Sequence, residues 1–209
     1  MNAAGKIVYS RDPAVVVERI LDAAEAEFMA AGFAGASTNR ILDRFGGSKA
    51  TLFRHFPTKA EMFLAVIRRI GERMIAEVDW AALETDDPRA WLAAFARMAL
   101  KGILRDDALF VGRMVVAQGR NFPMIRETFM AVAVTPMLAM LAGRFRDWTD
   151  QGLLACVDAE ADAVTFFDMA LGGWINRALF GLEQPVDDAF LDRHSARAAA
   201  LFLDGRRTR

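Results

Sequence analysis

Between Ser37 and Phe56 the chain has room for only two short helices, because the pair Gly46-Gly47 interrupts the segment and forces a turn. Ser37 or Thr38 begins the first helix, and Ser48 caps the second. Each short helix has one apolar side, formed by Ile41, Leu42 and Phe45 in the first helix and by Leu52 and Phe56 in the second. The segment therefore predicts two short helices joined by a tight turn.

A longer amphipathic helix precedes this pair. Asp12 can cap its free amide groups, Pro13 suits the first helical position, and Gly32 ends the helix. Its apolar residues recur at spacings of three and four, at Val17, Ile20, Leu21, Ala24 and Phe28. A long helix that braces two short helices joined by a glycine-containing turn is typical of a helix-turn-helix unit.

The charge of this unit leaves two interpretations open. The whole chain is nearly neutral, with 26 basic and 27 acidic residues. From Ser37 to Ala60, however, one acid, Asp43, stands among five bases, which are Arg40, Arg44, Lys49, Arg54 and Lys59. This window either faces DNA phosphates or forms an ordinary solvated surface.

The residue types of the second short helix favour DNA. Side chains that meet the floor of the major groove must be narrow there, and Lys49, Ala50 and Thr51 stand at the start of this helix. Phosphate-binding groups are expected on its flanks, where the sequence has Ser48, Arg54, His55 and Lys59. The pattern therefore predicts sequence-specific binding to double-stranded DNA.

The remainder of the chain has a helical pattern throughout. Thr58 and Glu61 form a capping box for a helix that extends to about Val78. Five further helices are expected at about 88–105, 107–119, 123–150, 158–180 and 187–204. We therefore predict an all-α protein of about nine helices. Its DNA-binding domain is expected at residues 1–60 and its regulatory and dimerisation domain at residues 61–209.

Residues 19–63 resemble the DNA-binding domain of the TetR (tetracycline-repressor-like) family of bacterial regulators. The matching pieces are Ile20-Leu21-Asp22-Ala23-Ala24, Gly32-Phe33, Ser37-Thr38, Ile41, Gly46, Ser48-Lys49, Thr51-Leu52, Arg54-His55-Phe56 and Lys59. The C-terminal part is similar to the AefR-like C-terminal domain of one branch of this family. That similarity lies in Phe110–Phe129 with Asn121-Phe122-Pro123, in Gly152-Leu153-Leu154, and in the alanine-rich helix after Asp158.

The resemblance implies a homodimer that binds a palindromic operator and is released when a small molecule enters the C-terminal domain. It implies that Lys49, Ala50 and Thr51 face base edges in the major groove. It also places six residues at or near phosphates, namely Thr38, Arg40, Phe53, Arg54, His55 and Lys59. The expected function is that of a transcriptional repressor.

Four positions depart from the family pattern. Phe53 replaces the usual tyrosine, whose hydroxyl reaches a phosphate, so packing is the expected role of Phe53. Gly47 replaces a core valine or isoleucine, which removes a little core and can loosen the turn by up to about 1 kcal/mol. Arg44 and Leu42 stand where small residues are common. Arg44 either adds a phosphate contact or is exposed, and exposure is the expectation.

The regulatory domain is rich in methionine and aromatic residues, which line adaptable ligand pockets but also fill helical cores. Pro136 removes one backbone hydrogen bond and is expected to bend or break its helix near Val132. The expected pocket is lined by Phe110, Met114, Phe129, Met137, Met140 and Phe166, with Gln118 as a polar group that could orient a ligand. The predicted effector is apolar or aromatic, and the alternative is a solid core.

The last two helices predict a dimer interface. Helix 158–180 is apolar on two sides and therefore needs two partners. The interface is expected to contain Ala170, Gly172, Gly173 and Trp174 of this helix, and His194, Ala198 and Leu201 of helix 187–204. The alternative is a central helix of a monomer, but an operator with two half-sites favours the dimer.

Other classes of function find little support in the sequence. No carboxylate pair lies in an apolar setting and no Ser/His/Asp pattern surrounds His55, so neither an enzyme nor a catalytic residue is expected. The single cysteine, Cys156, excludes an internal disulfide and a cysteine-based zinc site, and neither a metal nor a cofactor is expected. A membrane-surface module would need an exposed apolar face, but the apolar faces here should satisfy one another.

Membrane insertion is not expected either. The uncharged stretch 128–143 is too short for a comfortable membrane span and contains Pro136, so a buried helix is predicted there. The first 13 residues lack the apolar core of a signal peptide. We therefore expect a cytoplasmic protein without a membrane partner.

Overall fold

The computed structural model describes residues 12–77, 79–182 and 187–205, and the described part is helical and contains no strand. Its α-helical segments are α1 (Pro13–Gly35), α2 (Thr38–Phe45), α3 (Lys49–His55), α4 (Lys59–Ala76), α5 (Pro88–Ile103), α6 (Asp106–Gln118), α7 (Pro123–Phe129), α8 (Thr135–Asp150), α9 (Ala159–Phe167), α10 (Gly173–Leu179) and α11 (Asp188–Asp204). A single 3-10 turn, Trp80–Leu83, follows α4.

Two π turns, Met130–Val134 and Asp168–Gly172, join α7 to α8 and α9 to α10 without interrupting the helices. The described part therefore has nine continuous helices, and the predicted all-α fold is confirmed. The expected end of α4 at Val78 and the expectation for the first residues of the chain lie outside the described residues.

Local sequence signals determine where the first helices begin and end. The Asp12 carboxylate accepts a hydrogen bond from the amide of Ala14 at 2.9 Å, and Pro13 is the first helical residue. At Gly32 the backbone leaves the helical path with φ of 67°, a conformation that costs glycine little. The chain then returns Phe33 to the core, where its ring lies 5.1 Å from that of Phe63.

The chain divides into two compact units within α4, after Ile67. The predicted boundary after residue 60 lies in the first turn of α4. Phe63 nevertheless still belongs to the first unit, because its ring is fully buried and packs edge-on against Phe28 at 4.9 Å. The start of α4 therefore packs into the core of the first unit, and the boundary between the units lies farther along this helix.

The second unit has its own aromatic core, made by α5, α8, α9 and α11. Six large rings of this core are buried, namely Trp91, Phe95, Phe145, Trp148, Phe166 and Phe202. Phe202 of α11 lies 5.3 Å from the ring of Phe145 and 5.2 Å from that of Phe166, so it links α8 to α9. Edge-on and offset ring pairs of this kind add about 0.5–1.5 kcal/mol each beyond the burial of their area.

The helix that contains Pro136 deforms where the sequence predicts. A π turn at Met130–Val134 widens the helix immediately before Pro136, so the helix continues from Pro123 to Asp150 instead of breaking. This helix is long and apolar enough to cross a membrane, by length and composition alone. Only 17% of its most apolar stretch is buried within the described chain, so the helix that was expected to be buried is buried only in part. Burial is concentrated in its C-terminal half, at Leu141, Ala142, Phe145 and Trp148.

Candidate DNA-binding site and apolar cavity

Helix α3, which we call the recognition helix because the sequence predicts that its start faces DNA bases, has one buried anchor and an exposed leading turn. Ser48 caps it by accepting a hydrogen bond from the Thr51 amide at 3.0 Å, and the two hydroxyl oxygens lie 2.9 Å apart. Leu52 is fully buried beneath the helix. Lys49 and Ala50 are exposed on its first turn, and Thr51 is half-buried. The three residues expected to face base edges therefore stand together at the start of the helix.

The turn between α2 and α3 leaves no room for a side chain at Gly47. Gly46 adopts a left-handed conformation with φ of 70°, which ends α2. A Cβ atom at Gly47 would overlap the Cε1 and Cζ atoms of Phe45 and lie 2.9 Å from its Cδ1 atom. Arg19 holds this turn from α1 by donating to the Phe45 carbonyl at 2.8 Å. The interpretation of Gly47 as a lost core residue is therefore wrong, because the Phe45 ring fills that space.

The flank of α3 combines cations with one aromatic ring. The Lys49 ammonium lies 5.9 Å from the centroid of the half-buried Phe53 ring, a cation–ring contact that needs no hydroxyl. Arg54 is exposed and His55 is half-buried, with 3.5 Å between Nη2 of Arg54 and Nε2 of His55. These groups form a basic edge beside the leading turn of α3.

Lys59 is bound to the turn between α1 and α2. Its Nζ atom donates to the carbonyl oxygens of Ala34 at 3.3 Å and Ala36 at 3.1 Å, and it lies 5.0 Å from the centroid of the Phe33 ring. The half-buried Thr38 begins α2 directly after this turn. Lys59, the first residue of α4, therefore binds the turn that leads to Thr38, the first residue of α2.

Glu27 is a polar residue of this unit that the sequence analysis did not identify. Its side chain is almost fully buried, although it belongs to the same stripe of α1 as Ala24 and Phe28. It accepts hydrogen bonds from Nε of Arg40 at 2.7 Å and from the amide of Ser37 at 3.0 Å. A carboxylate at a buried position of a helical stripe is a signal that could have been found in the sequence.

The environment of Glu27 keeps it ionised. The hydrogen bond from Arg40 and then that from the Ser37 amide lower the pKa of Glu27 and outweigh the effect of burial. The same bond to Glu27 raises the pKa of Arg40. Arg44 is half-exposed, as expected, with its Nε atom 3.9 Å from the carboxylate of Glu27. One carboxylate therefore faces two of the five bases in this part of the sequence.

The second unit contains an apolar cavity of about 130 Å³ beside Pro136. Its lining is apolar and comes from α4, the 3-10 turn, α5 and the helix with the π turn, namely Gly71, Met74, Ile75, Trp80, Phe95, Met98, Ala99, Gly102, Val132, Ala133, Pro136, Met137 and Met140. Met137 and Met140 were predicted for a pocket. The contributions of α4 and α5 were missed, because the spacing of residues along one helix does not show what packs opposite.

Five of the residues predicted for the pocket lie elsewhere. Phe166 is fully buried in the aromatic core, where it packs against Phe202. Phe110, Met114, Gln118 and Phe129 do not line the cavity, and the aromatic and methionine side chains among them are half-buried. Their assignment to the same pocket as Met137 is therefore corrected: α6 contributes no wall to this cavity.

Two glycines allow close helix contacts at the cavity. A Cβ atom at Gly71 of α4 would lie 3.2 Å from Cγ2 of Val132 in the π turn. A Cβ atom at Gly102 of α5 would lie 3.3 Å from the terminal carbon of Met74. Both distances are shorter than ordinary carbon–carbon contacts, so the end of α4 packs tightly against the π turn and against α5.

The residues predicted for the dimer interface divide into three groups. Ala170 and Ala198 are 1% and 5% exposed within their own chain, so they have no surface to give to a partner and their assignment is corrected. Gly172 and Gly173 border open space, with no atom within 4 Å of a Cβ built at either position. Leu201 is 55% exposed.

The third group, Trp174 and His194, forms a hydrogen-bonded pair within one protomer. The indole Nε1 of Trp174 can only donate, so Nδ1 of His194 accepts this bond at 3.3 Å. The Nε2 atom of His194 then donates to the carbonyl of Ala170 at 2.7 Å. Both side chains are half-buried, and their polar groups serve the packing of α11 on α10.

No three His, Cys, Asp or Glu side chains are grouped to hold a metal ion within residues 12–77, 79–182 and 187–205. The thiol of Cys156 donates a hydrogen bond to the buried carboxylate of Asp162 at 2.7 Å.

Comparison with known proteins agrees with this geometry. Residues 20–66 match the family model for bacterial regulatory proteins of the tetR family, and residues 90–205 match that for the C-terminal domain of AefR-like transcriptional repressors. The chain is 37% identical over 76 residues to the transcriptional activator FasR of Mycolicibacterium smegmatis, a match that covers 36% of this chain and 35% of FasR. It is 27% identical over 173 residues to the transcriptional repressor AcnR of Corynebacterium diphtheriae, covering 78% of this chain and 81% of AcnR.

A solved structure supports the same assignment over most of the chain. A TetR-family transcriptional regulator from Mesorhizobium loti superposes with a TM-score of 0.82 at 26% identity, covering 94% of this chain and 98% of that one. The chain therefore belongs to the TetR family of bacterial DNA-binding transcription regulators, has an AefR-like C-terminal domain, and is a regulator and not an enzyme.

Proposed function

We propose that this regulator represses transcription from a palindromic operator and that a small apolar molecule releases it by entering the cavity beside Pro136. The observation that carries this proposal is the position of α4. This helix begins at Lys59 beside the DNA-binding residues and ends by lining the cavity with Gly71, Met74 and Ile75. A single continuous helix therefore belongs to both sites.

The character of the cavity favours an uncharged, apolar effector. No charged side chain lines it among the described residues, and four methionines give it adaptable walls. Its volume of about 130 Å³ is close to that of cavities that bind benzene, and it is smaller than the several hundred cubic ångströms that drug-sized ligands occupy. The effector is therefore a small aromatic or aliphatic molecule, or the apolar end of a longer one.

The tight contact between Gly71 and Val132 provides the coupling. A ligand that widens the cavity must separate these two residues, and α4 would carry the displacement toward Lys59. A hundredfold loss of DNA affinity requires about 2.7 kcal/mol of coupling between the two sites. By reciprocity, saturating operator DNA weakens ligand binding by the same factor.

We propose a homodimer because regulators of this family act as dimers and a palindromic operator presents two half-sites. Its interface would use the predicted residues that retain surface, Gly172, Gly173 and Leu201, together with Val164 and Met169, which are 45% and 40% exposed. Its place in the cell would be the cytoplasm, where operator DNA is accessible.

Selection of DNA from a random pool tests the operator. A palindromic consensus with half-sites about one helical turn apart, or a multiple of that distance, supports the proposal, whereas a single asymmetric site contradicts it.

Light scattering at micromolar concentration tests the dimer, and a mass near that of one 23.1 kDa chain would overturn it.

Titration with toluene, indole and 1-octanol tests the effector. Each is added to the complex with the selected DNA, and dissociation of the complex supports the proposal. Ala133→Phe fills the cavity and should abolish the response, whereas Ala139→Phe makes the same change at an exposed position of the same helix and should preserve it. An equal response of both variants would place the effector elsewhere.

A further inference from the structure

We infer that Glu27 is a positioning residue of the DNA-binding surface, which directs Arg40 to the turn between α1 and α2 and keeps the charge of Arg40 away from DNA phosphates. This inference changes the role of Arg40, which the resemblance places at or near a phosphate. It concerns this chain's own ion pair and goes beyond the general function of the DNA-binding unit.

The geometry of Arg40 shows how its donors are used. Its guanidinium forms a bond of 2.7 Å through Nε to the Glu27 carboxylate, and its Nη2 lies 2.6 Å from the same oxygen. Nη2 also donates to the carbonyl of Gly35 at 2.7 Å. A phosphate would have to compete with an ionised, almost fully buried carboxylate for a side chain that is already bonded to two separate segments.

The turn between α1 and α2 is held from both ends by charged groups. Glu27 accepts from the amide of Ser37, and Arg40 donates to the carbonyl of Gly35. Lys59 donates to the carbonyls of Ala34 and Ala36. The start of α2 is therefore ordered before DNA arrives, so DNA binding does not have to order it.

The carboxylate also reduces the attraction of this surface for DNA of any sequence. Arg40 and Arg44 both face Glu27, at 2.6 Å and 3.9 Å, while each keeps about half of its side chain exposed. A cation that is neutralised within the protein releases no counterion from DNA when the complex forms. Glu27 thus lowers the affinity for operator and non-specific DNA alike, because phosphate binding is common to both.

The test measures the salt dependence of binding to a random-sequence duplex and to a duplex selected from a random pool. Glu27→Gln keeps the shape of the side chain and removes its charge. The slope of log K against log salt should steepen by about 0.9 for each additional phosphate that the protein then neutralises. One additional phosphate increases the affinity lost between 50 and 200 mM salt by about 3.5-fold. The added slope should be the same for both duplexes, and the preference for the selected duplex should stay unchanged, because phosphate contacts do not read sequence.

Asp43→Asn is the matched control, because it removes one negative charge from an exposed position of α2. An equal steepening in Asp43→Asn would show that net charge alone is responsible and would overturn the inference. Adding Arg40→Ala to the Glu27→Gln chain should cancel the part of the added slope that comes from Arg40.

A second measurement is independent of how well the Glu27 variant folds. Arg40→Ala in the wild-type chain should lower the melting temperature without reducing the slope, and Arg40→Lys should not restore the lost stability, since lysine cannot reproduce the fork of bonds. A slope that falls by about 0.9 in Arg40→Ala would place Arg40 on a phosphate and refute the role given to Glu27. If the wild-type chain bound neither duplex, the result would instead contradict the proposed DNA-binding function.

Discussion

Gly47→Ala should destabilise the DNA-binding unit, although comparison with the family pattern suggests the opposite. The turn between α2 and α3 positions the recognition helix, and a side chain at residue 47 would overlap the ring of Phe45. That ring cannot move cheaply, because Phe45 is 5% exposed and the guanidinium of Arg19 lies 5.3 Å from its centroid. The substitution therefore forces either the ring or the turn out of place.

The magnitude follows from two opposing effects. Overpacking a filled core costs about 1–3 kcal/mol. Replacing glycine by alanine restricts the unfolded chain, and this stabilises the fold by about 0.4–1 kcal/mol where the native backbone suits alanine. Gly47 has no positive φ, so this stabilisation applies, and a net loss of about 1–2 kcal/mol is expected. Gly35→Ala is the control, because a Cβ there meets Ala31 at an ordinary 3.7 Å and the substitution should be neutral or slightly stabilising.

The assay must report on the DNA-binding unit alone. All four tryptophans, at positions 80, 91, 148 and 174, lie in the second unit, so fluorescence would not detect the change. Hydrogen exchange of the amides of α2 and α3 measures local opening directly. Exchange should accelerate by about tenfold in Gly47→Ala, and operator affinity should fall with it. Equal protection in Gly47→Ala and Gly35→Ala would refute the steric argument.

Three other perturbations address other parts of the molecule. Lys49→Ala or Thr51→Ala should cost about 1–3 kcal/mol per half-site and relax sequence preference, and competition with operators mutated at single bases measures this. Gly172→Arg should give monomers in light scattering. The open space around residue 172 lets each protomer fold with the new side chain. In a two-fold dimer the interface would then contain two added charges, one from each protomer. Burial raises the pKa of Asp107, but hydrogen bonds and charge from Arg105 lower it further, so its net pKa is depressed. Its stabilising effect is present above the pKa of a free aspartate and is lost as pH falls through the depressed value, so Asp107→Asn should flatten the acid limb of a stability profile.

The helix ends were predictable because their signals are local. Asp12 and Ser48 each accept a hydrogen bond from an amide two or three residues ahead, so the cap and its target lie in the same few letters of sequence. Gly46 adopts the positive φ that ends α2, and Gly32 adopts the positive φ that kinks α1 three residues before its end. Pro136 similarly determined where the long helix deforms. It could not determine the form of the deformation, which is a π turn and not a break.

The missed features depend on residues far apart in the chain. Glu27 and Arg40 are 13 residues apart, and neither has a spacing that indicates a pair. Ala170 and Ala198 fit an interface stripe by sequence, yet each is buried within its own protomer. A helical stripe shows which residues avoid water, but it does not show whether the same chain or a second copy covers them.

The cavity illustrates the same limit, because its walls come from helices that are far apart in the chain. A proline deformation creates space only if the facing helix does not fill it, and here the facing residues are Gly71 and Gly102. Their missing side chains bring α4 into contact with the π turn and the side chain of Met74 into contact with α5, so the free cavity is small and its walls touch. Under the proposed function, a ligand that widens this cavity separates Gly71 from Val132 and so displaces α4. Small volume in the free state thus links occupancy to movement, because a spacious cavity could be filled without moving any helix.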